Sequence, residues 1–165
     1  MKSILTWLWG RLPLGKQLRN RLVWLLSPKY TVGVVGLVRD DEGRVLLLRH
    51  TYRRRSPWGV PGGGLQPGET LEDCLRREIF EETGMRVEVK RLLSAGAHTD
   101  RKLVDMIFDC QPLPGESLAS FKPNAEIAYA DFFYPTDFPD GLPESLRRLI
   151  WIATRQADGN TTSHQ

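Results

Sequence analysis

Cysteine is scarce in this chain of 165 residues: Cys74 and Cys110 stand far apart, with no CxxC pair and no histidine spacing suited to zinc. That excludes a disulfide-stapled scaffold and a thiolate metal site, so both thiols read as reduced, buried groups of a cytoplasmic protein. Long apolar runs are also missing. Nothing approaches the roughly 20 consecutive apolar residues of a membrane-spanning helix. Ile4 to Trp9 is too short for a signal-peptide core, and no small-residue cleavage site follows it. Internal repeats and low-complexity tracts are absent. Histidine is sparse, and none of His50, His98 and His164 is paired in sequence with a nucleophile, so all three read as structural or surface residues.

Acid is missing from one region. Residues 1–30 hold Lys2, Arg11, Lys16, Arg19, Arg21 and Lys29 but no Asp or Glu, so within an overall charge of +3 the rest of the chain sums to −3. The basic character therefore belongs to an arm. A nucleic-acid-binding enzyme spreads its cations over the body, and no specific nucleic-acid partner is expected. Trp7, Trp9, Leu18, Leu22, Trp24, Leu25 and Leu26 stand among the arm's cations, which is the composition of an interfacial helix. Residues 1–28 are expected to form one or two amphipathic helices broken near Pro13 to Gly15. Three fates for this arm stay open: packing on its own domain, a homodimer contact, or peripheral contact with a membrane through residues 1–27.

What remains has the composition of an ordinary soluble globular domain, 41% hydrophobic and 26% charged. One domain is expected over residues 29–158, followed by a flexible tail at 159–165. Thr31 to Val38 and Arg44 to Leu48, joined by the turn at Asp40 to Gly43, read as a β-hairpin. Gly59 to Leu65 is rich in glycine. A helix opening at Glu69 or Thr70 runs to Thr83 and stops at Gly84. Strands are expected at Val87 to Leu93, Leu103 to Cys110 and Ile127 to Phe133, and a last helix at Pro143 to Gln156. This order of elements suggests an α/β fold with a mixed sheet and helices on its faces.

On the central helix Leu71, Leu75, Glu78 and Glu82 form one stripe that begins apolar and ends in carboxylates. At about 100° per residue, Glu81 and Glu82 lie about −60° and +40° around the axis from Glu78, so three acids share one face. They read either as a solvated acidic face answered by Arg76, Arg77 and Arg86, or as oxygen ligands for a dication that removes their mutual repulsion. Oxygen ligands without histidine or cysteine select magnesium, with manganese as a substitute, over zinc. The run Trp58 to Gly64 leads into this helix, and its glycines permit close approach of a ligand.

Together these residues resemble the Nudix hydrolase family. The family's box is Gly, five residues, Glu, seven residues, Arg, Glu, an aliphatic, any residue, Glu, Glu, any residue, Gly, an aliphatic. Here those places hold Gly63, Glu69, Arg77, Glu78, Ile79, Glu81, Glu82, Gly84 and Met85. The resemblance implies a Nudix-type α/β/α sandwich and magnesium-dependent hydrolysis of a phosphoanhydride bond in a nucleoside diphosphate linked to another moiety. It further implies that Glu78, Glu81 and Glu82 hold metal or activate water, that Arg77 orients the acids, and that Glu69 fixes the loop to the helix. Glu126, just before a strand, resembles an acid that completes the metal site in many relatives, and reads equally as a surface acid. Arg53, Arg54 and Arg55, with Gly63, Gly64 and Trp58, are the candidate substrate-binding residues; solvated arginines and a core tryptophan are the plainer readings.

The substrate is expected to be a small-molecule nucleotide. The proline that marks ADP-ribose hydrolases about sixteen residues beyond the box is absent, Asp100 standing there, and so is the tyrosine of dinucleoside polyphosphate enzymes. The arginine-rich loop favours a sugar or alcohol conjugate. Two other functions fit the same residues: a nucleotide-binding regulatory domain without turnover, and a membrane-associated enzyme acting on a lipid-linked diphosphate.

Overall fold

The computed structural model describes residues 15–161, with side chains through residue 154. Contacts divide the chain into two compact units, residues 1–30 and 31–165. In the first, helix α1 spans Lys16–Leu26 and none of its residues is buried. The sequence-predicted helix before Pro13 lies outside the described residues.

The second unit is built on two sheets. The first sheet orders its strands β4 (Gly62–Gly64), β1 (Thr31–Val38), β6 (Leu103–Pro112) and β5 (Val87–His98); the second orders them β3 (Trp58–Gly59), β2 (Val45–His50) and β7 (Ile127–Phe133). β1 and β6 are parallel over their full overlap, Thr31 opposite Leu103 through Val38 opposite Cys110, while the other pairs are antiparallel. The first sheet is therefore mixed.

The expected hairpin of β1 and β2 does not form. Its turn exists: the Asp40 carboxylate accepts from the backbone N–H of Glu42 and Arg44, and Gly43 N–H closes onto Asp40 O. Beyond one bridge, Arg39 to Val45, the strands part into different sheets. Both edges of β1 are taken by β4 and β6, and both edges of β2 by β3 and β7, which leaves neither strand an edge for the other. The apolar runs belong to central strands buried on both faces. β5 also runs five residues past its expected end. From Ser94 to His98 it is exposed, so the apolar signal that marks a strand in sequence is missing there.

Helix α2 spans Leu71–Thr83. The hydroxyl of Thr70 accepts from Asp73 N–H at 3.1 Å, Glu72 and Asp73 complement the N-terminal dipole, and Gly84 closes the other end in the left-handed region at φ 75°. Helix α3 spans Glu144–Thr161, so it continues into the segment expected as a flexible tail.

Alternate residues of the central strands serve different helices. Val34, Val38, Leu46 and Leu48 pack with Cys74, Leu75 and Ile79 of α2, whereas Leu37, Val45 and Leu47 pack with Ile150 and Ala153 of α3. The period of two along a strand thus turns one apolar run into two cores, one under each helix. This is the α/β/α sandwich. Both cysteines are free and buried in it.

Candidate active site

Several elements meet at one open cavity of about 560 Å³, within the range of small-molecule sites. β1 and β4 form one wall, the carboxylate end of α2 another, and the loop after β2 a third. Glu78, Glu82, Glu126, Arg53, Trp58, Gly62, Gly63 and Gly64 all line it.

Glu82 sits where the apolar stripe of α2 would continue, so the helix carries it inward. Gly62 N–H donates to its Oε2 at 3.0 Å. Burial raises its pKa to about 7; the Gly62 bond opposes this, and the charges of Glu78 and Glu126 add to it. Arg53 is close enough to pull the other way. Glu78, Glu82, Glu126 and Arg53 therefore share one electrostatic neighbourhood although they come from three separate segments.

Arg77 organises the opposite flank. Its Nε donates to Glu69 Oε1 at 2.7 Å, its Nη1 to Glu78 Oε1 at 2.8 Å and, more weakly, to Glu81 Oε2 at 3.4 Å, and its Nη2 to Gly64 O at 3.3 Å. Glu69 in turn accepts from Gln66 N–H, and Arg77 holds its carboxyl down at about 2. One guanidinium so ties the glycine-rich loop to the helix, the geometry for which Arg is suited.

Not every candidate arrives at the cavity. The Glu81 side chain is 59% exposed and stands outside the lining, against 18% for Glu78. Arg54 and Arg55 are exposed and do not line it, so of the three arginines only Arg53 does. Trp58 does two things: it faces the cavity and packs edge-on against Phe133 and Tyr129. Phe108 is core, and Tyr52 lines the cavity from an exposed position. Two lining residues had no sequence signal for the site. Asp105 is brought there by register, opposite Gly33, whose missing Cβ leaves room for its carboxylate. His50, read as structural or surface, is buried at the cavity.

The donor set suits a hard dication. The acids that line the cavity are Glu78, Glu82, Asp105 and Glu126, without sulfur, and a Cβ at Gly63 would fall inside the space occupied by the Glu78 carboxylate. Among the described residues no three acids, histidines or cysteines already converge on one point. Arg77 draws Glu78 to its own side, and Glu82 is bound to Gly62.

The NUDIX domain model matches residues 29–151. The chain belongs to the Nudix family. It is accordingly a Nudix hydrolase of phosphorus-containing anhydrides, in line with its pyrophosphatase-named relatives. It is 38% identical to a MutT-like protein of Streptomyces ambofaciens over 83% of this chain and 85% of that protein. It is 34% identical to the 8-oxo-dGDP phosphatase NUDT18 of Homo sapiens over 76% of this chain, which spans 39% of that longer protein. The crystal structure of a UDP-X diphosphatase superposes with a TM-score of 0.64 at 24% identity, covering 88% of this chain and 73% of that one, a likeness of fold.

Proposed function

We propose that this Nudix hydrolase, with magnesium, cleaves the phosphoanhydride bond of a nucleoside diphosphate joined to a second group, a sugar or an alcohol. The observation that carries this reading is the inward-facing Glu82 beside Glu78 and Glu126, with Arg53 lining the same cavity. Glu78, Glu82 and Glu126 are the residues to hold the ion, while Glu81, outside the lining, completes the charge around Arg77. When bound, magnesium supplies positive charge to the diphosphate oxygens and lowers the pKa of water.

The chain's own groups do the rest. Arg53 grips a phosphate with its guanidinium. Arg77, locked to Glu69 and Gly64, keeps Glu78 from swinging away. Thr31 and Asp105 add oxygen groups along β1 and β6 that suit the hydroxyls of a sugar. With Arg54 and Arg55 outside the cavity, the preference for a sugar or alcohol rests on these oxygens. The named substrates of the two relatives above, 8-oxo-dGDP and UDP-X, share a nucleoside diphosphate. Water adds across the P–O–P bridge, giving a nucleoside monophosphate and a phosphorylated second group, with no covalent intermediate. The test is incubation with magnesium and a panel of nucleoside diphosphate conjugates, with products identified by mass. Paired monophosphates that vanish with EDTA are expected. Binding without products would make the domain a regulator instead.

We infer further that α1 binds an anionic membrane surface from the cytoplasm, where free Cys74 and Cys110 stay reduced. Leu18, Leu22, Leu25 and Leu26 lie within about 100° of arc on α1, Lys16, Arg19 and Arg21 flank them, and Lys29 stacks on the exposed Trp24. No acid offsets these cations within the arm. Full-length protein should float with phosphatidylserine vesicles, and replacing Leu25 and Leu26 by Gln should abolish flotation. Equal flotation of both would remove the membrane role, and concentration-dependent dimerisation lost in the variant would assign the helix to self-association.

A further inference from the structure

His50 ends β2 at an irregularity. The pairing of β2 with β7 shifts register between Arg49 and His50, the unpaired residue Ala128 lying on β7, while His50 keeps the alternation of Leu46 and Leu48 that turns its ring inward. Arg49 is exposed while His50 is only 6% exposed. Its backbone is fixed on both sides: His50 N–H donates to Pro57 O at 2.7 Å, closing the arginine loop, and Thr51 N–H donates to Glu126 O at 2.9 Å.

The imidazole rests against the Tyr52 ring, 5.4 Å between centroids, but its nitrogens are left without hydrogen-bond partners. Among the described residues, its two ring nitrogens are the buried side-chain polar atoms that make no hydrogen bond. The other buried polar side chains are satisfied: Thr83 bonds Ile79 O and Met85 N–H, and Asp109 is forked by Arg39. A buried polar group without a partner is destabilising, so a packing role alone would be served better by leucine. Burial, and next the charge of Arg53, lower its pKa to about 4, so the ring is neutral at pH 7 and carries one N–H and one lone pair.

Space has been kept beside it. A Cβ on Gly59 would stand 2.9 Å from His50 Nε2 and 3.1 Å from Arg53 Nη1. The φ of Gly59 is not positive, so its backbone does not require glycine; what requires it is the approach of these two side chains. His50 and Arg53 thus converge over one glycine, in the cavity that Glu78, Glu82 and Glu126 line.

We propose that His50 is a substrate-binding residue, donating a ring N–H to a non-bridging oxygen of the diphosphate that Arg53 grips. A neutral N–H beside a guanidinium adds direction without more charge, and holds the phosphate where the acids of α2 face the bridge. The inference rests on the diphosphate reading above. It accounts for the orphaned ring nitrogens and the glycine opposite them.

Calorimetric titration of magnesium-loaded protein with methylenediphosphonate, which has a P–C–P bridge that water does not cleave, separates the cases. His50→Leu should weaken binding about tenfold or more, the range for a hydrogen bond to a charged group. His50→Gln, which keeps a donor, should lose less than about threefold, and the free His50→Leu protein should melt at or above the wild-type temperature because an unpaired polar group is gone. Wild-type affinity in His50→Leu would overturn the role of His50 while leaving the diphosphate reading intact. Loss in both variants alike would assign the ring to shape. A wild-type protein that does not bind the probe would overturn both.

Discussion

Replacing Glu82 by Gln is expected to lower magnesium-dependent turnover on the order of a hundredfold or more, because a ligand to the ion is worth several kcal/mol of charge stabilisation, while the fold survives. Gln keeps the shape and can still accept from Gly62 N–H. What it removes is a charge that the site must desolvate. The folded-state pKa of Glu82, about 7, lies above its ordinary value of 4.5, with burial as the main cause. Folding therefore favours the protonated form: the contribution to stability is full below pH 4.5 and is lost as pH rises through about 7. At pH 8 and without metal the cost is at most about 3 kcal/mol. Metal-free Glu82→Gln should consequently melt like wild type at pH 4.5 and above it at pH 8. Magnesium reverses the order, stabilising wild type by linkage and the variant much less. Thermal melts at the two pH values, with and without magnesium, check this alongside turnover. Wild-type rate together with the full magnesium shift would show that the ion does not use Glu82.

How much of this could be read from residue types and spacings depends on how local the cause is. α2 is legible end to end because Thr70 and Gly84 cap it within its own turns, and its amphipathic stripe points Glu82 inward whatever lies opposite. The strand bounds of β1 and β7 follow from local runs of β-branched, apolar and aromatic residues in the same way. The β1–β2 hairpin misleads because a turn sequence says where the chain reverses, while the partner of each strand is decided by competition for edges from β4, β6, β3 and β7. Within the site, helix angles place Glu81 and Glu82 near Glu78 but do not say that the cavity opens towards Glu82. That depends on the Arg77 network and on β4. Arg53, Arg54 and Arg55 look alike in sequence and part only when the loop is closed by His50 and Pro57. An unpartnered imidazole is invisible to sequence, since it is defined by what surrounds it.

The second large effect is expected from adding a single methyl group at Gly63. The residue pairs with Val34 of β1 and has no positive φ, so its backbone is open to alanine. Its Cα faces α2 instead. A Cβ there would lie 2.1, 2.2 and 2.4 Å from the Cδ, Oε1 and Oε2 atoms of Glu78. Contacts that short cannot persist, and what yields is the Glu78 side chain, which has to give up its bond to Arg77, not the sheet. Gly63→Ala should therefore cost less than about 1 kcal/mol of stability, within the usual range for substitutions away from a core. Its effect falls on geometry. Glu78 has to leave the one position from which its carboxylate meets both Arg77 and the cavity. Displacement of a reacting group by about 1 Å can cost on the order of a hundredfold in rate, and the magnesium-induced rise in melting temperature should shrink with it. Unfolding, turnover and the magnesium shift measured on the same preparation separate the outcomes. A variant that melts like wild type but turns over slowly places the Glu78 carboxylate in the chemistry; one that keeps the wild-type rate removes it from the metal site and leaves Glu82 and Glu126 to hold the ion.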